Sequence, residues 1–163
     1  KECAEQGETI AQYRLAECYY KGEGIKRDYK KAFELCLKVM ECEHLWDDVY
    51  GAPYMIAECY FYGRGVKQDY MEAVKWYERT LAELGDVCND YYTPSIYKLG
   101  ICYENGYGVT KSKEKALNYY ETTIDLGGPG MTEEEWRECE AAYKRLAGKE
   151  YVGHSAPSVV GSN

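Results

Sequence analysis

Proline is scarce in this sequence, with four in 163 residues, and no apolar run approaches the roughly 20 consecutive residues that a membrane-spanning helix needs. Collagenous and membrane-inserted architectures are thereby excluded. Histidine is scarcer still, limited to His44 and His154, and none of the eight cysteines stands in a C-x-x-C pair. Little material remains for a zinc centre or for histidine-based catalysis. Positive charge is also in deficit: 20 Lys and Arg against 28 Asp and Glu leave a net charge of −8, with no basic cluster to offset it. Such a chain repels the phosphate backbone that dominates nucleic-acid affinity, so nucleic acid is not an expected partner.

What the sequence does hold is 45% hydrophobic residues, enough for the core of one domain, and 19 tyrosines, which suit surfaces that are apolar with a polar edge. It also holds a repeat. "YKGEGIKRDYKKA" at 20–32 returns as "FYGRGVKQDYMEA" at 61–73 and as "ENGYGVTKSKEKA" at 104–116. Gly22 and Gly24 thus recur as Gly63 and Gly65, then as Gly106 and Gly108, in steps of 41 and 43. The likeness extends upstream through "YRLAECYY", "YMIAECYF" and "YKLGICYE", and downstream through "KKAFELC", "MEAVKWY" and "EKALNYY".

Each unit reads as helix, tight turn, helix. Ala11, Leu15, Cys18 and Tyr19 form an apolar stripe at helical spacing, matched by Ile56, Cys59 and Tyr60 and by Leu99, Cys102 and Tyr103. The glycines end that helix, because glycine reaches positive φ without a Cβ penalty and a second one lets the chain reverse. Asp28, Asp69 and Ser112 are placed to cap the second helix, and Ala32, Ala73 and Ala116 to meet Ala16, Ala57 and Gly100 of the first at a close crossing. A phosphate loop is the rival reading of a glycine pair before a helix. It fails here: no strand precedes it, no third glycine completes G-x-G-x-x-G, and no Gly-Lys-Ser/Thr follows.

The string Ala11, Gln12, Tyr13, Leu15, Ala16, Tyr19, Gly22, Gly24, Ile25, Asp28, Lys31, Ala32 resembles a Sel1-like repeat, a relative of the tetratricopeptide repeat. It recurs through Tyr54, Ile56, Ala57, Tyr60, Gly63, Gly65, Val66, Asp69, Ala73, Trp76 and Tyr77, and again through Tyr97, Leu99, Gly100, Tyr103, Gly106, Gly108, Val109, Ala116, Tyr119 and Tyr120. The third copy departs from the pattern at Ser112 and Lys113, and "MECEHLWDDVYG" (40–51) and "LGDVCNDYY" (84–92) lengthen the spacing between units. The resemblance implies an all-α fold, a right-handed α-solenoid of antiparallel helix pairs, serving as an adaptor rather than an enzyme. On this reading residues 1–7 end a preceding repeat, 8–48, 49–91 and 92–127 are three repeats, 131–148 is a capping helix and 149–163 is a tail. The capping helix carries Thr132 and Glu135 as a capping box, acid in its first turn, Lys144 and Arg145 in its last, and Gly148 after it.

Cys18, Cys59 and Cys102 fall at one equivalent place on the inward stripe, where a thiol behaves as a small hydrophobe. Cys36, Cys42, Cys88 and Cys139 remain able to pair, but no disulfide framework is legible, so most thiols are expected free and a reducing compartment is favoured. The ladder of disulfides found in some secreted members of the resembled family would require a cysteine at Ala11 to pair with Cys3, and is absent. Cys42, His44, Asp47 and Asp48 could supply metal ligands in a loop, but a solvated acidic loop accounts for them better; no cofactor and no catalytic residue are expected.

The surface a solenoid builds is then the candidate site. Beside the packing stripe, the first helices carry Tyr13, Glu17 and Tyr20, then Tyr54, Glu58 and Phe61, then Tyr97, Ile101 and Glu104, spaced four and three apart. Rings beside carboxylates in successive layers would suit a peptide or protein segment bearing apolar and basic side chains on the concave face. The competing reading packs Tyr13, Tyr54 and Tyr97 between neighbouring repeats. Self-association through an array end or the tail is the alternative function, and a metal-dependent or enzymatic role for the 42–48 loop the weaker one.

Overall fold

The computed structural model describes residues 2–41, 49–84 and 90–148. Seven helices run through these residues: α1 (Glu2–Lys21), α2 (Tyr29–Val39), α3 (Ala52–Tyr62), α4 (Tyr70–Leu84), α5 (Tyr92–Asn105), α6 (Lys113–Asp125) and α7 (Glu133–Ala147). Each packs on the next, α1 on α2, α2 on α3, and so on to α6 on α7. The result is an all-α helical repeat solenoid, with no strand among the described residues. The 42–48 loop and the tail at 149–163 lie outside them.

The turns form where the glycine pairs fall. Gly22, Gly63 and Gly106 sit at φ of 78°, 67° and 78° and end α1, α3 and α5, with their N–H groups bonded back to Cys18, Cys59 and Cys102 respectively. The chain then reverses, and the N–H groups of Asp28, Asp69 and Ser112 donate to the carbonyls of Tyr19, Tyr60 and Tyr103 at 2.9–3.0 Å. From there each side chain caps the helix that follows: Asp28 accepts from Lys31 N–H, Asp69 from Met71 and Glu72 N–H, and Ser112 from Lys115 N–H. The serine therefore performs in the third unit what aspartate performs in the first two. Pro53 falls in the first turn of α3, where its missing N–H removes no helix bond. Thr132 and Glu135 form the capping box of α7 and Gly148 ends it in a left-handed conformation.

Close helix crossings follow from small residues. Ala16, Ala32, Ala57, Ala73 and Ala116 are all at most 1% exposed, and at Gly100 a Cβ would lie 2.7 Å from the ring of Tyr120, so the ring occupies the space a side chain would need.

Two expectations are corrected. Residues 2–7 belong to α1, so this segment continues the first helix instead of ending an earlier one. The inward stripe is also covered more fully in the second and third units: Ile56, Cys59, Leu99 and Cys102 are fully buried and Tyr103 is buried, though Tyr60 is half-buried, whereas in the first unit Leu15 is 43% exposed, Ala11 is exposed, and Cys18 and Tyr19 are half-buried. The physical reason is that this side of a first helix is covered by the second helix of the unit before it. α2 covers α3 and α4 covers α5, but no described helix stands before α1 in that place.

Candidate functional site

The nine residues of the expected ring-and-carboxylate stripe divide by depth. Tyr13 (1%), Tyr97 (3%), Glu58 (6%) and Phe61 (8%) are buried, which corrects the expectation that they line an open groove. Tyr20, Tyr54, Ile101, Glu17 and Glu104 are only partly buried. The burial of Tyr13 and Tyr97 agrees with the reading that packs these rings between repeats. Their hydroxyls nonetheless need partners, because an unpaired buried hydroxyl costs about 1–3 kcal/mol, and those partners come from other helices.

Four layers of polar contact result. In the first, Glu17 accepts from the hydroxyl of Tyr91 at 3.0 Å and from Arg14 at 2.8 Å, while Tyr91 also bonds the buried Tyr13 hydroxyl. Tyr91 immediately precedes α5, so this layer ties α1 to the connection that leads into α5. In the second, Glu58 of α3 accepts from the Tyr77 hydroxyl of α4 at 2.6 Å. In the third, Lys98 of α5, itself 4% exposed, donates to the Tyr62 hydroxyl at 2.9 Å and to Glu135 of α7 at 3.2 Å. Tyr97 beside it donates to Glu138 at 3.0 Å. In the fourth, Glu104 accepts from Tyr120 at 2.7 Å and pairs with Arg145 of α7.

Electrostatics in this seam follow from burial. Desolvation pushes the Glu58 carboxyl above its ordinary range, and Lys98, Tyr77 and Arg64 only partly counter it. Lys98 is pulled down by burial, but Glu58, Tyr62 and Glu135 together lift it above its ordinary value. Burial also pushes Glu135 up, yet the Thr132 N–H and Lys98 hold it below the usual carboxylate range. Burial is the largest cause of the rise at Tyr13, Tyr20, Tyr54 and Tyr97, so these rings stay protonated donors.

Rings surround the polar groups. Tyr54 packs on Tyr77 and Tyr91, Tyr20 meets Tyr29 edge-on, Phe61 meets Tyr62 and Tyr70, and Arg64 lies 4.3 Å from the Tyr62 ring centroid. Among the described residues two tyrosine rings remain exposed, Tyr50 at 38% and Tyr62 at 43%. Neither belongs to the expected set, and neither do Lys98, Glu135 and Glu138. One signal for Lys98 was present in the sequence. In the repeat register it stands where the second unit has Met55, a core residue, and a lysine at a core position requires a carboxylate partner.

The five cysteines described, Cys18, Cys36, Cys59, Cys102 and Cys139, are free thiols. Among the described residues no group of three His, Cys, Asp or Glu side chains could hold a metal ion, and no helix is long and apolar enough to cross a membrane. Cys42, His44, Asp47 and Asp48 lie outside the described residues.

The geometry of stacked glycine-turned helix pairs is matched by comparison with known proteins. The Sel1 repeat family matches at residues 9–38, 52–86 and 93–128, more than half of the chain. The chain belongs to the Sel1 repeat family. Among solved structures, it is similar to a Sel1 repeat protein from Oxalobacter formigenes, with 24% identity and a TM-score of 0.61 over 87% of this chain and 51% of that one. It is also similar to c5321, a protective antigen of uropathogenic Escherichia coli with an SLR fold, with 30% identity and a TM-score of 0.64 over 90% of this chain and 28% of that one. This Sel1 repeat chain thus spans about half of the first relative and just over a quarter of the second. No curated protein matches it. Sel1 repeats are in general protein–protein interaction modules and typically non-enzymatic scaffolds.

Proposed function

We propose that this Sel1 repeat chain is an interaction scaffold that holds a peptide or protein segment along the face shared by its first helices, α1, α3 and α5. The observation that carries the reading is the layered seam itself, in which the exposed Tyr50 reaches the partly open Glu17 through Tyr91, the exposed Tyr62 reaches Glu135 through Lys98, and Glu104 stays partly open in a further layer. Tyr20, Tyr54 and Ile101 supply apolar flanks. Tyr13, Glu58, Phe61 and Tyr97 act from beneath, fixing the position of the outer groups rather than touching the partner. Rigid rings give contact area at low entropy cost, and carboxylates already held by hydrogen bonds pair with incoming Lys or Arg without reordering.

Selection of displayed peptides on the immobilised full chain tests this. Enriched sequences are expected to alternate apolar residues with Lys or Arg, and the pair Glu17→Lys with Tyr62→Ser is expected to weaken their binding at least about tenfold. Peptides that bind the double variant as well as the parent would overturn the assignment of the face.

A further inference from the structure

The glycine turns inside the three units lie side by side along one edge of the array. A Cβ on Gly65 would come within 2.6 Å of the backbone of Tyr29 and Lys30, and one on Gly108 within 2.6 Å of the backbone of Tyr70 and Met71, so each turn rests against the start of the helix that follows the turn before it. Arg64 of the second turn lies 5.2 Å from the Tyr29 ring centroid, and Tyr107 of the third stacks on Tyr70 at 4.5 Å. The three turns thus form one ridge.

No long run of basic residues occurs in the sequence, but folding collects them here. Residues 21–31 hold five bases and two acids, the equivalent 62–72 two and two, and 105–115 three and one. This fifth of the chain therefore carries half of its 20 bases and five of its 28 acids, a charge of +5, while the remainder carries −13. Three of the five acids are already occupied: Asp28 and Asp69 cap α2 and α4, and Glu72 pairs with Lys75 at 2.5 Å. Lys67, Lys111 and Lys113, in contrast, are exposed and form no ion pair among the described residues. Lys67 and Lys111 stay exposed although their turns rest on a preceding unit, so their openness belongs to the edge itself. Between these lysines stands Met71, 59% exposed, with the stacked Tyr70 and Tyr107 half-buried beside it. In the other two units the place of Met71 is held by Lys30 and Glu114, both exposed, so the fold requires no apolar side chain there.

From this separation of charge we propose that the turn ridge binds an acidic segment of a partner protein. Lys67, Lys111 and Lys113 pair with its carboxylates, and Met71 with Tyr107 receives an apolar side chain between them. A short segment suits the ridge better than an extended polyanion does. Exposed charges cease to sense each other beyond a Debye length of about 8 Å at physiological salt. A segment lying on the ridge therefore meets its +5, whereas a membrane surface or a nucleic-acid duplex also extends over the −13 around it. The ridge is separate from the carboxylate-lined face of α1, α3 and α5, and the two surfaces select segments of opposite charge, so one scaffold can hold both at once.

The probe is a synthetic peptide of Asp and Glu around a central Leu-Phe pair, titrated into the full chain by calorimetry at physiological salt. The parent is expected to bind it, and Lys67→Glu with Lys111→Glu, checked for unchanged circular dichroism, to weaken binding at least about tenfold. Arg137→Glu with Lys144→Glu makes the same change in net charge at exposed positions of α7 and is expected to alter binding at most about twofold. Absence of binding by the parent, or equal weakening by the two double variants, would overturn the proposal. Tighter binding of phosphatidylserine vesicles or of a DNA duplex than of the peptide, lost in the ridge variant, would overturn the protein segment as occupant. Sedimentation that shows self-association of the parent and none of the ridge variant would likewise overturn it and give the ridge to a second copy.

Discussion

The hydroxyl of Tyr77 donates to the carboxylate of Glu58 across 2.6 Å inside the array, joining α4 to α3 where both side chains are all but removed from water. Burial is the main influence on Glu58 and raises its carboxyl above the ordinary value of 4.5. A carboxyl with a raised folded pKa favours the protonated native state, so its contribution to stability is full below about pH 4.5 and is lost as pH rises through the folded value. Denaturation midpoints should therefore show the Glu58→Gln variant gaining on the parent as pH is raised from 4 to 7. A constant difference across that range would show that Glu58 does not titrate abnormally. Tyr77→Phe removes the hydroxyl that bonds this carboxylate and should destabilise by roughly 1–3 kcal/mol at pH 7, read from urea unfolding.

The paired glycines differ in what surrounds them. Gly24, Gly65 and Gly108 all have positive φ, so alanine is strained at each by about 1 kcal/mol. At Gly65 and Gly108 the new Cβ would also strike the backbone of the preceding unit, whereas at Gly24 it meets nothing. Gly65→Ala and Gly108→Ala are accordingly expected to lose about 1–3 kcal/mol more than Gly24→Ala. Equal losses at all three would mean that the inter-unit contact is soft enough to give way.

Cysteine reactivity should sort by burial. Cys59, Cys102 and Cys139 are pushed up to about 12 by burial, and Cys36 is raised by the same cause, so their thiolates are rare and inaccessible in the native state. Cys18 is half-buried on the uncovered side of α1. Alkylation resolved by residue should find Cys18 modified under native conditions at a rate at least about 100-fold above that of Cys59 or Cys102, with the difference vanishing in denaturant. Comparable native rates would mean that the second and third units open as readily as the first.

How much of this was legible in the sequence depended on how local each cause is. The turns at Gly22, Gly63 and Gly106 and the caps at Asp28, Asp69 and Ser112 involve residues within about one helical turn of each other, and their spacing alone located them. The alanine contacts were legible for the same reason, since each helix pair is short and connected by a fixed turn. Exposure on α1 was not, because Leu15 and Ile56 look alike in sequence and differ only in whether another unit's helix lies over them. The polar seam was illegible for a further reason. Tyr97 with Glu138 and Tyr91 with Glu17 meet across 41 and 74 residues, and periodicity reports which face a side chain occupies but not which distant hydroxyl ends beside it. Glu58 illustrates the consequence. Its charge reads as surface, yet the array buries it because Tyr77 and Lys98 arrive to satisfy it.

Lys98 gives the most direct test of that seam. It sits buried between Glu58 and Glu135, bonding Tyr62 and Glu135 and lying close enough to Glu58 to lower that carboxyl's tendency to stay protonated. Replacing it with methionine keeps the volume and matches Met55 at the equivalent place in the second unit, but it strands a buried carboxylate without its cation. Truncating one partner of a buried charge cluster costs roughly 3–5 kcal/mol, while replacing both by neutral groups of similar shape is often close to neutral. Lys98→Met is thus expected to destabilise by about that amount, and Lys98→Met combined with Glu58→Gln to recover at least about 1 kcal/mol of it, as a coupling energy from urea unfolding of the four proteins. Strict additivity of the two changes would mean that Glu58 and Lys98 do not sense each other, and the seam would then be separate pairs rather than one connected polar layer.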